Sequence, residues 1–186
     1  MDSYIEFRLL PDPEFPATVL MNELFGHIHL VLVQHGNGEV GVSFPKPGEV
    51  AGLGEVLRLH GSIARLTSLK QELRLGGLAS YMEVQSLDTV PASVKYRIVK
   101  RVQAKSSPAR LRRRLMRRHN MTMEQAVKQV PDKAKELLKL PFISLKSTST
   151  GQAFPLFIEQ GELQAVPVPG EFSRYGLSST TTVPWF

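Results

Sequence analysis

Along residues 3–87 the hydrophobic residues change period repeatedly, and that succession constrains the fold more than any other feature. Residues 3–9 alternate, with Ile5, Phe7 and Leu9 on one side and Tyr4, Glu6 and Arg8 on the other, which predicts a half-buried strand. Pro11, Pro13 and Pro16 mark a turn. Leu20, Leu24, Ile28 and Val31 then recur at helical spacing over residues 17–34, and His35-Gly36-Asn37-Gly38 ends that helix. Residues 40–44 predict a short strand and residues 54–60 an alternating one. Residues 63–73 predict a second helix, closed by Gly76-Gly77, and residues 81–87 a further strand. The order strand, helix, strand, strand, helix, strand is the ferredoxin-like pattern. With a boundary expected near Val90-Pro91, it predicts a ferredoxin-like domain over residues 1–92. Such a scaffold does not fix a function.

Residues 93–186 read as a second, α/β region, so the fold class is α+β. Residues 94–104 predict a strand that feeds a basic helix. Residues 123–130 and 132–138 predict short helices around Pro131, and residues 142–147 and 154–159 predict strands. The tail carries Gly170, Gly176 and several serines and threonines, and no element is read there.

Charge separates the two regions. Residues 1–94 hold 6 basic and 11 acidic residues, residues 95–119 hold 11 basic and no acidic ones, and residues 120–186 hold 6 of each. The whole excess behind the net charge of +6 lies in that middle block. A block this concentrated points to a polyanionic partner.

Within it, Ser107-Pro108 starts a helix well, serine as the cap and proline in the first turn. At 100° per residue Arg110, Arg113, Arg114, Arg117 and Arg118 fall within an arc of about 140°, while Leu111 and Leu115 lie to one side as an anchor. No acids at i+4 spacing relieve their repulsion, as they would on a merely solvated face. Arginine offers a planar fork for phosphates and guanine edges. A nucleic acid is the favoured partner. A solvated or nuclear-targeting run, an acidic lipid and an acidic protein are the alternatives. Just upstream, Arg101 and Gln103 would point to one side of an extended chain, a pairing suited to G and A edges.

The chain has no cysteine, which excludes disulfides, thiolate metal sites and a cysteine nucleophile. No signal peptide or membrane span is read, and a cytoplasmic location is expected.

Six blocks carry a resemblance to a known family. The segment RVQAKSSPARLRRRLMRRH, Arg101 to His119, closely resembles the CRISPR repeat-processing endoribonucleases of type I-F systems (the Csy subtype). PDPEFP from Pro11 to Pro16, LFG followed by His29, and LPF from Leu140 leading into STGQ at Ser149 to Gln152 match as well. Tyr175-Gly176-Leu177-Ser178 and the terminal VPWF complete the set. The blocks span both ends and the middle, and residues 45–95 carry none of them.

The resemblance implies a metal-independent endoribonuclease that cuts CRISPR repeat RNA at the base of a hairpin. The upstream ribose 2′-hydroxyl attacks the adjacent phosphate, leaving a 2′,3′-cyclic phosphate and a 5′-hydroxyl. It implies that the enzyme stays bound to the product stem-loop as a subunit of the crRNA-guided surveillance complex. It places the basic helix in the deep major groove of the stem, which proteins ordinarily cannot read. His29 matches the catalytic histidine, and imidazole suits a general base because its reference pKa is about 6.5. Without the family, a lone helical histidine reads as an ordinary surface or packing residue. Ser147 matches the active-site serine that holds the 2′-hydroxyl or the phosphate. Tyr175 matches a tyrosine that orients the imidazole. Phe154 matches an aromatic that stacks on the terminal base pair of the stem. Ser149 and Thr150 are candidate phosphate contacts. Arg101, Gln103, Lys105, the five helix arginines and His119 complete the expected RNA-binding set.

No metal or cofactor is expected. Residues 141–186 hold only three widely separated acids, Glu159, Glu162 and Glu171, and His27 and His29 should point about 200° apart on a helix. Two departures from the family stand out. Pro155 follows Phe154 where a basic residue is expected, and residues 179–182 replace a glycine-containing loop. The alternatives in function are a non-catalytic structured-RNA-binding protein and a duplex-DNA binder.

Overall fold

The computed structural model describes residues 1–46, 52–103, 108–130, 139–147 and 151–186, with Pro108 and Ala109 described by their backbone alone. The expected helix at 132–138, the cap at Ser107, and Lys105, Ser149 and Thr150 lie outside the described residues. The protein is α+β, with helices set against antiparallel strands. It forms two compact units: Met1–Arg101 together with Leu140–Phe186, and Val102–Lys139. The boundary expected near residue 92 falls inside the first unit.

In the first unit, β1 (Ser3–Leu9), α1 (Ala17–His35), β2 (Gly41–Ser43), β3 (Val56–Gly61), α2 (Ile63–Glu72) and β4 (Met82–Val84) follow the order read from the periodicities. Their sheet runs β2-β3-β1-β4, and β5 (Asp88–Thr89) pairs with the start of β1. Ile5 lies opposite Leu59 and Phe7 opposite Leu57, so the apolar positions of β1 and β3 coincide and are buried together. Burying each such side chain is worth about 1.5–3 kcal/mol, which pins the register, since a one-residue slip would turn all of them outward. The turn before α1 is held by Asp12, whose carboxylate accepts from the backbone N–H groups of Glu14 and Phe15. α1 buries Leu20, Leu24 and Ile28 as its spacing predicts, with Leu32 completing the row and Val31 only half-buried.

The polar side of β1 is only partly solvated. Glu6 is buried and takes ion pairs from Arg58 and Arg8, each at 2.7 Å. Burial alone would raise its pKa, but the hydrogen bonds from Arg58 and then Arg8 outweigh it and hold the carboxyl below its usual range. Arg58 also donates to the Phe186 carbonyl and stacks over the Phe186 ring, 4.2 Å from its centroid. Beside this network, buried Ser43 and His60 share a hydrogen bond of 2.8 Å.

A second sheet in the same unit runs β7-β8-β6-β9, built from β6 (Lys95–Val102), β7 (Phe142–Lys146), β8 (Ala153–Gln164) and β9 (Thr182–Trp185). β8 continues five residues past the expected end at 159, and β9 has no counterpart in the sequence reading. The serine and threonine run before β9 folds as a hydroxyl-capped turn: Ser178 Oγ accepts from the backbone of Thr180 and Thr181, at 3.3 and 3.0 Å. β9 pairs with β6, and β2 packs closely against it. A Cβ at Gly41 would lie 2.5 Å from Val183, so only glycine admits that approach.

The second unit contains α3 (Pro108–His119) and α4 (Met123–Gln129). Thr122 and Gln125 form a reciprocal capping box at the start of α4. Arg112 donates from Nε to the Val130 carbonyl at 2.8 Å and satisfies the C-terminal end of α4. Arg113, Arg114, Arg117, Arg118 and His119 are exposed, and Leu111 and Leu115 are half-buried.

Candidate active site

α1 and the β7–β8 hairpin meet at an edge. Ser144 turns its backbone N–H outward to Asn22 Oδ1 of α1, 2.9 Å away. Ser144 therefore shares no ladder bond with Pro155 opposite it, and on that side the missing proline N–H costs nothing. Along this edge lies a cleft of about 560 Å³, lined among others by Gly26, His29, Ser147, Phe154 and Tyr175.

His29 enters the cleft from the middle of α1 and is half-buried. Its Nδ1 lies 2.9 Å from the backbone carbonyl of Arg174. A carbonyl only accepts, so Nδ1 carries the proton, and in the neutral ring the lone pair sits on Nε2. The Tyr175 ring stacks on the imidazole with centroids 4.2 Å apart and planes 5° from parallel. The Arg101 guanidinium, near the end of β6, lies 5.2 Å from the Tyr175 centroid. Burial pushes the His29 pKa down, the hydrogen bond to Arg174 opposes this, and the Arg101 charge adds to the lowering. The balance favours neutral imidazole.

The loop that carries Tyr175 is tied to the first sheet at Gly176, whose carbonyl accepts from Val42 N at 2.8 Å. Gly176 has φ +69°, and a Cβ there would lie 2.4 Å from Val42 Cγ2. Glycine is required on both counts. Ser173 and Ser178 fasten the loop to Leu177 and Val99.

Ser147 directly follows β7. Its N–H donates to the Gln152 carbonyl and its carbonyl accepts from Gly151 N, which closes the hairpin loop. Phe154, in β8 opposite Leu145, packs half-buried on the core while lining the cleft.

His29, Ser147, Phe154 and Tyr175 are thus gathered from three distant segments, α1, the β7–β8 hairpin and the tail loop, and Arg101 reaches them through Tyr175. Gln103, Arg110, Arg113, Arg114, Arg117, Arg118 and His119 belong to the second unit. His27, expected to point away from His29, also lines the cleft. Asn22 and the Arg174 carbonyl escaped the sequence reading. Asparagine is a poor interior helix residue, and its presence on the polar side of α1 was the available signal. A backbone carbonyl leaves none.

The family model described as "CRISPR-associated protein (Cas_Csy4)" matches residues 4–186. A CRISPR-associated endonuclease Cas6/Csy4 from Pseudomonas aeruginosa (strain UCBPP-PA14) is 49% identical over 187 residues, spanning 100% of both chains. A protein of the same description from Escherichia coli (strain UTI89 / UPEC) is 45% identical over 186 residues, again spanning 100% of both. The chain belongs to the Csy4 family of CRISPR-associated proteins.

Proposed function

We propose that this protein is an endoribonuclease that cuts CRISPR repeat RNA at the base of a hairpin and works without a metal ion. The observation that carries the reading is the setting of His29. Its proton is placed on Nδ1 by the Arg174 carbonyl, its plane is set by Tyr175, and Nε2 is left to act as a base in a cleft shared with Ser147. Nε2 takes the proton of the upstream 2′-hydroxyl. The 2′-oxygen forms a bond to the adjacent phosphorus, the bond to the 5′-oxygen breaks, and that oxygen takes a proton from solvent. The products are a 2′,3′-cyclic phosphate and a 5′-hydroxyl. Ser147 holds the 2′-hydroxyl or the phosphate in line, and such positioning supplies much of the rate. Phe154 stacks on the terminal base pair, worth about 1–3 kcal/mol. Ser149 and Thr150 contact the phosphate.

The arginine face of α3 holds the stem. Arg110, Arg113, Arg114, Arg117 and Arg118, with His119, Lys105 and Gln103, neutralise its backbone or read its base edges, so affinity falls steeply with salt. Arg112 is bound to Val130 and serves the unit's own structure. After cutting, the protein keeps the product stem and joins the crRNA-guided surveillance complex with other type I-F subunits. The strand order β2-β3-β1-β4 with two intervening helices supports a ferredoxin-like reading of residues 1–92, with residues 93–186 as the RNA-binding part.

The test is incubation with the repeat hairpin in EDTA. Cutting should persist, and a single 2′-deoxy substitution just upstream of the cut should abolish it. Binding without cutting under any condition would leave a non-catalytic RNA-binding protein. Equal affinity for DNA and RNA hairpins would favour a duplex-DNA binder.

A further inference from the structure

We propose that Arg101 is a positioning residue for the catalytic base: its guanidinium holds the Tyr175 ring, and that ring in turn fixes the imidazole of His29. The inference rests on the endoribonuclease reading for its consequence in rate, but the linkage itself is a property of the free protein.

The tail loop grips His29 at two adjacent points, by the Arg174 carbonyl on Nδ1 and by the Tyr175 ring on its face. Where that loop sits therefore decides where Nε2 points. β6 fixes the loop twice. The Val99 carbonyl accepts from Ser178 N at 3.0 Å, and two residues further on Arg101 reaches the Tyr175 ring at 5.2 Å, inside cation–π range. The first tie sets the backbone of the loop, and the second sets the ring.

A guanidinium that attracts a ring still has the N–H donors of its fork available for a phosphate or a guanine edge. Arg101 is exposed, so RNA can reach those donors. One side chain can then hold the stem and steady the base. An RNA that engages Arg101 immobilises it and tightens its hold on Tyr175 and His29. An RNA that misses Arg101 leaves the imidazole less ordered, and discrimination appears in the chemical step as well as in binding. Electrostatics act in the same direction, because the Arg101 charge opposes protonation of His29. The other titratable or charged side chains lining the cleft are Glu23 and His27 on α1 and Lys146 on β7, and Arg174 lies beside Tyr175 on the loop.

The test uses the full chain and two readouts. The first is an NMR titration of His29 in RNA-free protein, wild type against Arg101→Met. Loss of the cation should raise the midpoint, and Arg101→Lys should restore most of it. The second is single-turnover cleavage at saturating protein across pH. Arg101→Met should lose on the order of 10- to 100-fold in rate at saturation, beyond any loss of affinity, with its acid limb moved to higher pH. In a Tyr175→Leu background the same change should remove much less rate, because the linkage is already broken. An unchanged His29 midpoint, a loss confined to affinity, or fully additive losses in the double variant would each overturn the proposal. If the wild type cuts no RNA, the endoribonuclease reading fails, and the titration still decides whether Arg101 governs His29.

Discussion

Replacing Gly176 by alanine should damage the molecule substantially, and the structure gives the size of the effect. The residue sits at φ +69°, where an L side chain costs about 1–2 kcal/mol. The new Cβ would also lie 2.4 Å from Val42 Cγ2 and 3.2 Å from Leu32 Cδ1. Val42 is fully buried, and its branched side chain has little rotamer freedom, so it cannot swing aside. Overpacking of this kind costs about 1–3 kcal/mol. The two effects together make about 2–5 kcal/mol, which for a chain of this length lowers Tm by roughly 5–15 °C. Gly76→Ala isolates the backbone part, since Gly76 has φ +54° and nothing within 4 Å of its Cβ position. Thermal and urea unfolding of both variants measure the difference. Cleavage at a temperature where Gly176→Ala is still folded measures the displacement of Tyr175 from His29. A Gly176→Ala protein no less stable than Gly76→Ala would refute the packing argument, and unchanged cleavage would refute the claim that this glycine seats the tyrosine.

Four further outcomes are expected. His29→Ala should keep hairpin affinity and lose cutting, and loss of affinity as well would make His29 structural. Because burial lowers the His29 pKa, wild-type kcat/KM should rise with pH through a midpoint below 6.5 and stay level at neutral pH; a profile that falls as the histidine deprotonates would exclude it as the base. Gly26→Ala should stabilise α1 by up to about 1 kcal/mol, since its Cβ meets nothing within 4 Å, and yet slow cutting because the methyl group enters the cleft; unfolding and cleavage assays on the one variant check both signs. His60 is wholly buried and its pKa is pushed down to about 3 by burial, then by Arg58 and the N-terminal amine. Its folded value lies below the unfolded one, so its contribution is complete above about pH 6.5 and is lost as pH falls toward 3, at up to about 1.4 kcal/mol per pH unit. Urea titrations between pH 7 and 4 should show a shallower acid loss in His60→Gln, and an identical slope would place the acid sensitivity elsewhere.

The alternation in residues 3–9 and the helical spacing of Leu20, Leu24 and Ile28 were legible because each depends on neighbours in the chain, and the structure buries those positions together. The basic block was equally legible, since charge needs no fold to be counted. What it lacked was a division of labour: Arg112 caps α4 while the arginines beside it are exposed, and only the packing of α4 against α3 separates them. β9 escaped because Thr182–Trp185 is short and contains a proline, and its identity as a strand comes from the partner β6. Glu6 read as solvated and is buried, because the arginine that compensates it, Arg58, lies on a different strand.

The candidate site divides in the same way. The sequence alone supplied the residue types, and the family resemblance attached roles to His29, Ser147 and Tyr175. It could not supply the proton on Nδ1, the parallel rings, or Arg101 over Tyr175. Those depend on a carbonyl at 174 and a strand residue at 101 meeting a helix residue at 29. Contacts between segments so far apart leave no periodicity in the chain. They exist only once the core has closed and the glycines at 41 and 176 have let two backbones approach.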